Sequence, residues 1–436
     1  MIIHDRIAEQ LPEWRERVAA LTRQHGKFKI CDVTVEQIYG GIRGVQIQVT
    51  DISYLNPIEG IYLRGYSISD VLNFLPREAG AEYPLCGGLY YLLTVGSLPT
   101  LEEAREVEQE WQHRSQVPKH VFDVINAMPP ESHPMTLLSA AITAMQTDAV
   151  FPQHYNNGNG KADYWKYFLD DSLTLVGRLM PVAAYIYNWK YQQRKFIAPD
   201  PVLDWAANFA HMIGRDSKDY QELSRLFFLI HSDHEGGNVS AHTGHLVCSA
   251  LSDVYLTCAA AMNGLAGPLH GLANQDCLRW LLKVYDQFQG LPSEGQLGEY
   301  LQSQLDAGGV IPGYGHAVLR TTDPRFTVQV DFANKYLPED EIFRLVQMVY
   351  TVLPPLLKKQ GKVKNPWPNV DAINGALQHH YGVDQFDFYT VLFGVSRILG
   401  ITAHAIWSRA LMKPIERPKS LTTRMLEEMV GLPPGA

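Results

Sequence analysis

Segments with helical periodicity follow one another along most of this chain, and this feature constrains the fold more than any other. From Ser67 onward, apolar residues recur at helical spacing, and only short Pro, Gly or Asn interruptions separate the segments. Two stretches, Leu246 to Leu269 and Phe388 to Trp407, are apolar almost throughout. We predict buried core helices there rather than membrane spans, because ionisable residues within them would be costly in lipid. The expected fold class is all-α.

One small β-hairpin near the N-terminus is the expected exception. Apolar and polar residues alternate over residues 45–49, a turn signal follows at Asn56-Pro57, and the alternation resumes over residues 61–63. Among the helices, we predict a single one from Ser240 to Met262 and another from Asn369 to His380. The polar stretch over residues 152–161 is predicted to be a loop.

A chain of 436 residues exceeds the usual size of one compact core, so we expect two domains. Hinge candidates lie in the Gly-rich stretch Gly264 to Gly271 and around Tyr381 to Val383. They predict a large domain of residues 1–270 and 382–436 and a small domain of residues 271–381. The active site would then lie in the cleft between them.

Composition excludes some classes of function. The net charge of −9 argues against a nucleic-acid-binding surface, although a local basic pocket can still hold a small anion. Five cysteines, with no C-x-x-C pair, favour a reducing compartment. The N-terminal residues mix acids with arginines, unlike a signal peptide or presequence. We expect a cytoplasmic protein, or one of the mitochondrial matrix if a presequence has been removed.

His270 lies in the sequence Gly267-Pro268-Leu269-His270-Gly271, between two apolar segments. Gly and Pro there predict a turn that leaves His270 near the start of the next helix. Unpaired N–H groups and the helix dipole would favour a neutral imidazole, which can donate a hydrogen bond to a forming enolate. The alternative is a capping or core histidine.

Four histidines fall within fifteen residues, which invites a zinc interpretation. They are His231, His234, His242 and His245. Glycines at 236 and 237 interrupt the segment, so a common ligand face is not ensured. The alternative is that one or two of them donate hydrogen bonds to an anionic ligand, while the others are core or capping residues.

A Pro/Gly-rich loop, residues 310–315, precedes His316, and its backbone can approach a ligand closely. Arg320 and Arg325 follow and are either solvated or ligand-binding. Asp371 follows the rigid sequence Asn365-Pro-Trp-Pro-Asn369 at the start of a helix. It is either a partner of the helix dipole or a general base.

Arg397 is the single formal charge in the apolar stretch from Phe388 to Trp407. A buried arginine needs an anion, and no acid lies at helical spacing within that stretch. Its partner is therefore distant in sequence or is a ligand carboxylate, which a guanidinium matches well. Arg417 lies in a Pro-bounded segment, where Glu416 is its alternative partner.

Taken together, four motifs resemble the citrate synthase family, in particular its mitochondrial, dimeric type. The resemblance runs from about Ile38 to Ser420. The motifs are Gly267-Pro-Leu-His270-Gly-Leu-Ala-Asn274, Pro312-Gly-Tyr-Gly-His316-Ala-Val-Leu-Arg320, Asn365-Pro-Trp-Pro-Asn-Val-Asp371 and Leu392-Phe-Gly-Val-Ser-Arg397. The resemblance implies a helical homodimer whose domains close over the substrates. It also implies an acyltransferase that condenses acetyl-CoA with oxaloacetate and hydrolyses citryl-CoA, as in the tricarboxylic acid cycle, without a metal or other cofactor.

Residue roles follow from the resemblance alone. Asp371 would remove a methyl proton, His270 would stabilise the enol or enolate, and His316 would polarise the ketone of oxaloacetate and protonate the forming alkoxide. The oxaloacetate ligands would be His234, Arg325, Arg397 and, from the other subunit, Arg417. The CoA ligands would be Val310, Ile311, Pro312, Gly313, Tyr314, Gly315 and Arg320, with Arg43 and Lys364 as further candidates. No nucleic acid or membrane is an expected partner.

Two alternatives remain at this stage. A 2-methylcitrate synthase would use the same acid–base residues with propionyl-CoA, since one methylene changes binding by only about 1–3 kcal/mol. A metal-binding or scaffold protein would instead rest on the histidine cluster. One departure from the family is visible: Ile373 and Asn374 stand where His-Ser is expected, which would alter packing behind Asp371.

Overall fold

The computed structural model describes residues 1–433, and the prediction that the large domain extends to residue 436 reaches three residues beyond them. Over the described residues the chain forms twenty α-helices, three short 3-10 helices and one small sheet. The prediction of an all-α fold with a minor β element is therefore confirmed.

Most of the helices follow the order of the predicted segments, but no helix was predicted at Val35–Tyr39 or Pro324–Tyr336. They are α1 (Ile2–His25), α2 (Val35–Tyr39), α3 (Ile68–Phe74), α4 (Cys86–Val95), α5 (Leu101–His113), α6 (Lys119–Ala127), α7 (Pro134–Ala144), α8 (Phe151–Asn156), α9 (Tyr164–Tyr191), α10 (Trp205–Met212), α11 (Lys218–Ile230), α12 (Val239–Ser249), α13 (Val254–Leu265), α14 (Ala273–Phe288), α15 (Glu294–Asp306), α16 (Pro324–Tyr336), α17 (Glu341–Gln360), α18 (Asp371–His380), α19 (Tyr389–Ala410) and α20 (Thr423–Met429). The 3-10 helices are Met145–Asp148, Lys161–Asp163 and Phe386–Phe388.

The central helix is α19, which is buried along nearly its whole length. It packs against α4, α9, α11, α12 and α13. With its preceding 3-10 turn, it is long and apolar enough to cross a membrane, but 89% of that apolar window is buried inside the protein. Its hydrophobicity is therefore accounted for by the core, where burial of apolar surface stabilises the fold.

A second group of helices, α14 to α18, packs chiefly within itself. Helix α18 contacts α14, α16 and α17, and α15 lies against α17. From this group, α16 also contacts α3 and α11 of the first group. Asp371 and His316 belong to the second group or its loops, whereas His234 and Arg397 belong to the first, so the candidate residues meet where the two groups face each other.

The sheet differs in position from the predicted hairpin. Strands β1 (Ser53–Asn56), β2 (Gly60–Leu63) and β3 (Tyr66–Ser67) are antiparallel in the order β1-β2-β3. The prediction of a strand at residues 45–49 is wrong: Ile47 and Val49 are 53% and 75% exposed, whereas Leu55 is buried. Burial of one face, rather than alternation alone, selects the strand.

Two helix predictions are also wrong. The segment predicted as one helix from Ser240 to Met262 is two, because Leu251 has a left-handed φ of 64° and the Asp253 carboxylate caps α13 by accepting from the Leu256 amide. Residues 151–156, predicted mostly as a loop, form α8. The buried Asp171 carboxylate fixes the start of α8 by accepting from the amides of residues 150 and 151.

Candidate active site

Two loops that precede candidate catalytic residues are joined by main-chain hydrogen bonds. The Gly315 amide donates to the Trp367 carbonyl at 3.1 Å, and the Asn369 amide donates to the Gly313 carbonyl at 2.9 Å. Gly313 has a φ of 78°, and a Cβ there would lie 2.8 Å from the Cα of Ala372. Only glycine fits both the left-handed backbone and this close approach. The loop before His316 and the loop before Asp371 therefore form one paired unit.

Asp371 is the first residue of α18, two residues after the predicted helix start at Asn369 and within the predicted first turn. Its amide donates to the Asn369 side chain at 3.0 Å, which fixes the turn into the helix. Burial raises the pKa of the Asp371 carboxyl to about 6, while the nearby Arg325 charge acts in the opposite direction. A carboxyl with this pKa is ionised at neutral pH and is a stronger base than an ordinary aspartate.

The ring of His316 has one nitrogen already occupied. The amides of Val318 and Leu319 both donate to its Nδ1, each at 3.0 Å. Burial lowers the pKa of His316 to about 4, with a further contribution from the charge of Arg325. The neutral ring must therefore carry its proton on Nε2, which remains as its N–H donor.

His270 shows the complementary arrangement. The Ser240 amide donates to its Nε2 at 3.3 Å, so the neutral ring carries its proton on Nδ1. Burial, followed by the charge of Arg397, lowers the pKa of His270 to about 4. The ring is neutral, as predicted, and burial is the main cause. His270 lies two residues before Leu272, the N-cap of α14.

His234 and His316 face each other with ring centroids 5.6 Å apart. Nε2 of His234 is buried and has no hydrogen-bond partner within residues 1–433. Burial lowers the pKa of His234 well below its usual value, and the charges of Arg325 and Arg397 add to that effect. An unpaired polar nitrogen beside two guanidinium groups is the arrangement expected where an anionic ligand completes the site.

Two buried arginines stand in different electrostatic situations. Arg325 forms a buried ion pair with Asp323, whose Oδ2 lies 2.7 Å from its Nη2. Arg397, 2% exposed, donates to the His231 carbonyl and the Asn238 side chain at 3.2 Å each. It forms no ion pair with a carboxylate of the described chain. Burial lowers the pKa of Arg397 to about 10, so it remains charged at neutral pH.

Several predicted ligand residues lie at the surface. Arg417, Arg43 and Lys364 are exposed, and Val310 is 84% exposed. Arg320 is half-buried, and its guanidinium donates to main-chain carbonyls of residues 316–319. In the rest of the predicted CoA loop, Ile311 and Gly313 are buried, whereas Pro312, Tyr314 and Gly315 are half-buried.

The zinc interpretation of the histidine cluster is not supported. His242 and His245 pair with Glu416 at 3.2 and 3.5 Å, whereas His231 bonds to Phe227 and Asn374. Within residues 1–433, no group of three potential ligands is placed to hold a metal ion. The alternative pairing of Arg417 with Glu416 is not present in the described chain, where the Glu416 carboxylate pairs with these two imidazoles instead.

Three residues at the site were missed by sequence reasoning. Asp323 holds Arg325, Ser240 fixes the ring of His270, and Asn238 accepts from Arg397. Asp323 and Asn238 also cap α16 and α12, so a cap signal was present at both positions. That signal reports a helix start and does not reveal the second contact of each side chain.

Comparison with known proteins is consistent with this geometry. The profile of the citrate synthase C-terminal domain matches residues 41–419. The citrate synthase of Thermoplasma acidophilum, whose structure is a ternary complex with carboxymethyl coenzyme A and oxaloacetate, superposes with a TM-score of 0.74 at 23% identity. The match covers 90% of this chain and 97% of that one. Fold and profile together define the class of protein as a helical acyltransferase.

Curated relatives extend the match over the whole chain. The probable mitochondrial citrate synthase of Glossina morsitans morsitans is 51% identical over 98% of this chain and 92% of its own. The mitochondrial citrate synthase of Xiphias gladius is 48% identical over 99% and 92%. The chain belongs to the citrate synthase family. The resemblance found in the sequence is confirmed, and these relatives give no support to the 2-methylcitrate synthase alternative.

Proposed function

We propose that this protein condenses acetyl-CoA with oxaloacetate and hydrolyses the resulting citryl-CoA to citrate and CoA. The observation that carries the proposal is a pair of neutral imidazoles, each left with one N–H donor, together with a buried carboxyl of raised pKa. The charge of Arg397 acts on both His270 and Asp371, and that of Arg325 acts on both His316 and Asp371. Such a set can remove a proton next to a thioester and stabilise the oxygen that becomes negative. Family membership supplies the acyl donor and the ketone.

In the first step, the Asp371 carboxylate removes a proton from the acetyl methyl group. Nδ1–H of His270 donates to the thioester oxygen, where negative charge develops. The Ser240 amide, at 3.3 Å from Nε2, holds the ring in the tautomer that this role needs. A neutral donor avoids protonating the enolate fully before it reacts.

In the second step, the enol carbon forms a bond to the ketone carbon of oxaloacetate. Nε2–H of His316 donates to the ketone oxygen and transfers its proton to the alkoxide. Water then attacks the thioester carbonyl of citryl-CoA, and CoA leaves as the thiol. All of these steps are proton transfers or additions to a carbonyl, so the proposal requires no metal or redox cofactor.

Oxaloacetate would be held by His234, Arg325, Arg397 and the partner subunit's Arg417. Arg397 supports this assignment because a buried guanidinium without a carboxylate in the described chain favours a dianionic ligand. The CoA ligands would be Val310, Ile311, Pro312, Gly313, Tyr314, Gly315, Arg320, Arg43 and Lys364, as the family resemblance implies. The exposure of Val310 leaves its backbone open to a ligand.

We also propose a homodimer whose small domain, residues 271–381, closes on a large domain of residues 1–270 and 382–436. The close internal packing of α14 to α18 supports that boundary. Exposed apolar side chains on α12 and α13, such as Leu246 and Leu256, support a second copy as the partner. The mitochondrial names of the relatives favour the matrix over the cytoplasm as the compartment.

Thiol release tests the function directly. The purified protein should release CoA with oxaloacetate and acetyl-CoA, and kcat/KM should be higher than with propionyl-CoA. Asp371→Asn should lower kcat by about 10³-fold, in the range expected for a general base. Asp276→Asn, which changes an exposed carboxylate on α14, is the matched control. Absence of thiol release from the folded protein would overturn the proposal, and a preference for propionyl-CoA would indicate the alternative substrate.

A further inference from the structure

Asn374 connects the helix of the proposed base to a distant part of the site. It lies three residues after Asp371 on α18 and is 2% exposed. Its Nδ2 lies 2.9 Å from Nε2 of His231, the C-cap residue of α11. Its other polar atom, Oδ1, is buried and has no hydrogen-bond partner within residues 1–433.

The direction of this hydrogen bond follows from the opposite side of the His231 ring. Nδ1 lies 2.8 Å from the Phe227 carbonyl oxygen, which can only accept, so Nδ1 carries the proton. Burial, followed by the charge of Arg325, lowers the pKa of His231 to about 3, so the ring is neutral and its Nε2 can only accept. Asn374 must therefore present its NH₂ group, which leaves Oδ1 unpaired.

His231 in turn supports Arg397. Its main-chain carbonyl accepts from Nε of Arg397 at 3.2 Å. Its ring meets the ring of Phe393 edge to face at 5.5 Å, and the Arg397 guanidinium lies over the same Phe393 ring at 4.7 Å. A shift of His231 would therefore displace the guanidinium through both a hydrogen bond and an aromatic contact.

We propose that Asn374 is a positioning residue, which fixes the Asp371 carboxylate relative to the Arg397 guanidinium through its hydrogen bond to His231. The inference rests on the proposed function, in which Asp371 is the base and Arg397 holds the ketone substrate. A buried, unpaired carbonyl oxygen weakens a fold, so stability does not explain an amide at this position. Precise placement of base against substrate does explain it, because small displacements of reacting groups slow catalysis strongly.

The chain offers a matched control between the same two helices. The Tyr220 hydroxyl on α11 donates to Oε1 of Gln378 on α18 at 2.9 Å, and both side chains are buried. The hydrogen bonds of this pair in the described chain include none to His231 or Arg397. Tyr220→Phe therefore removes a buried hydrogen bond between α11 and α18 without touching the contacts of Arg397.

The experiment compares Asn374→Leu, Asn374→Ala and Tyr220→Phe with the unmodified protein in the thiol-release assay, together with melting temperatures. We expect both Asn374 variants to lower kcat by about tenfold or more, with KM for oxaloacetate changed by less than about threefold. The melting temperature of Asn374→Leu should stay close to that of the unmodified protein, because loss of the unpaired oxygen offsets loss of the donor to Nε2 of His231. Tyr220→Phe should keep kcat within about twofold.

A kcat of Asn374→Leu and Asn374→Ala within about twofold of the unmodified protein would overturn the positioning role. A loss that Tyr220→Phe shares, or that follows a fall in melting temperature, would also overturn it, since a structural role predicts that pattern. If the unmodified protein releases no thiol, the proposed function itself fails, which is a different result from an active protein that tolerates the loss of Asn374.

Discussion

His234 and His316 face each other with ring centroids 5.6 Å apart, although they come from loops far apart in the chain. Arg325 lies close enough that its charge lowers the pKa of both rings, in addition to burial. Two neutral imidazoles beside a fixed positive charge can donate hydrogen bonds without a charge of their own. This pairing is the part of the site best suited to an anion that also carries a carbonyl group.

The rate should fall in acid as the proposed base becomes protonated. Burial raises the pKa of Asp371 to about 6, so the active carboxylate is lost as the pH falls through that value. We expect kcat/KM for acetyl-CoA to fall about tenfold per pH unit below pH 6, as measured by thiol release from pH 5 to pH 8. His270 and His316, with pKa values of about 4, stay neutral over this range. A constant kcat/KM down to pH 5 would contradict the assignment.

Removal of the Arg397 charge should weaken ligand binding without lowering the stability of the ligand-free protein. Arg397→Met should weaken oxaloacetate binding about a hundredfold or more, measured by calorimetry, because a buried charged hydrogen bond to the ligand is lost. The ligand-free protein should melt at the same or a higher temperature, since the guanidinium is buried without a carboxylate in the described chain.

The control for this prediction is Arg409→Met, which removes another buried arginine from α19. Arg409 donates to Ser408 and to the Lys413 carbonyl, away from the site. Its variant should bind oxaloacetate as the unmodified protein does. Equal weakening in both variants would show that the loss comes from α19 packing rather than from the Arg397 charge.

Alanine substitutions at two glycines distinguish the cost of a left-handed backbone from the cost of a steric clash. Gly308 and Gly313 have φ values of 80° and 78°. A Cβ at Gly308 would have no atom of residues 1–433 within 4 Å, whereas a Cβ at Gly313 would lie 2.8 Å from the Ala372 Cα. Gly308→Ala should lower the free energy of unfolding by about 1 kcal/mol, the cost of left-handed backbone for alanine. Gly313→Ala should cost about 3 kcal/mol or more and also lower kcat. Equal effects in denaturant unfolding would be inconsistent with the close approach.

Mixed dimers test whether Arg417 acts across the subunit interface. Arg417 is exposed and forms no hydrogen bond or ion pair within residues 1–433. If it completes the partner's site, a mixed dimer of Arg417→Ala and Asp371→Asn has one intact site out of two. About half of the dimers are mixed when the two variants are unfolded and refolded together, so about a quarter of the full activity should return. If Arg417 acts within its own subunit, every site carries a defect and activity stays at the level of the separate variants.

The sequence predicts which residues carry the chemistry of the site better than it predicts the contacts that hold them. Asp371, His270 and His316 could be found because glycine and proline around them mark special backbone. The proton positions on the two imidazoles could not, since they depend on which amides approach each ring. Ser240, which fixes His270, lies thirty residues away from it. Contacts between distant segments are set by packing, which a linear pattern does not contain.

The fold likewise contains some elements that the sequence predicts and others that depend on contacts. Helix α19 lies where the long apolar stretch from Phe388 to Trp407 predicts a buried helix. Helix α16 is not among the helices predicted from the sequence. Its start is set by the Asp323 side chain, which accepts from the Arg325 amide at 3.0 Å. Local capping and tertiary burial decided the cases in which periodicity was weak.

The paired loops before His316 and Asp371 also restrict how the gene for such a protein can vary in length. A single-residue insertion or deletion between Gly313 and His316, or between Trp367 and Asp371, would move one loop out of register and displace a reacting group. The exposed turns at residues 307–309 and 361–363 lie just outside these segments and carry no such pairing in the described chain. Insertions and deletions among related chains should therefore occur in those turns and be absent from the segments that begin at Gly313 and Trp367.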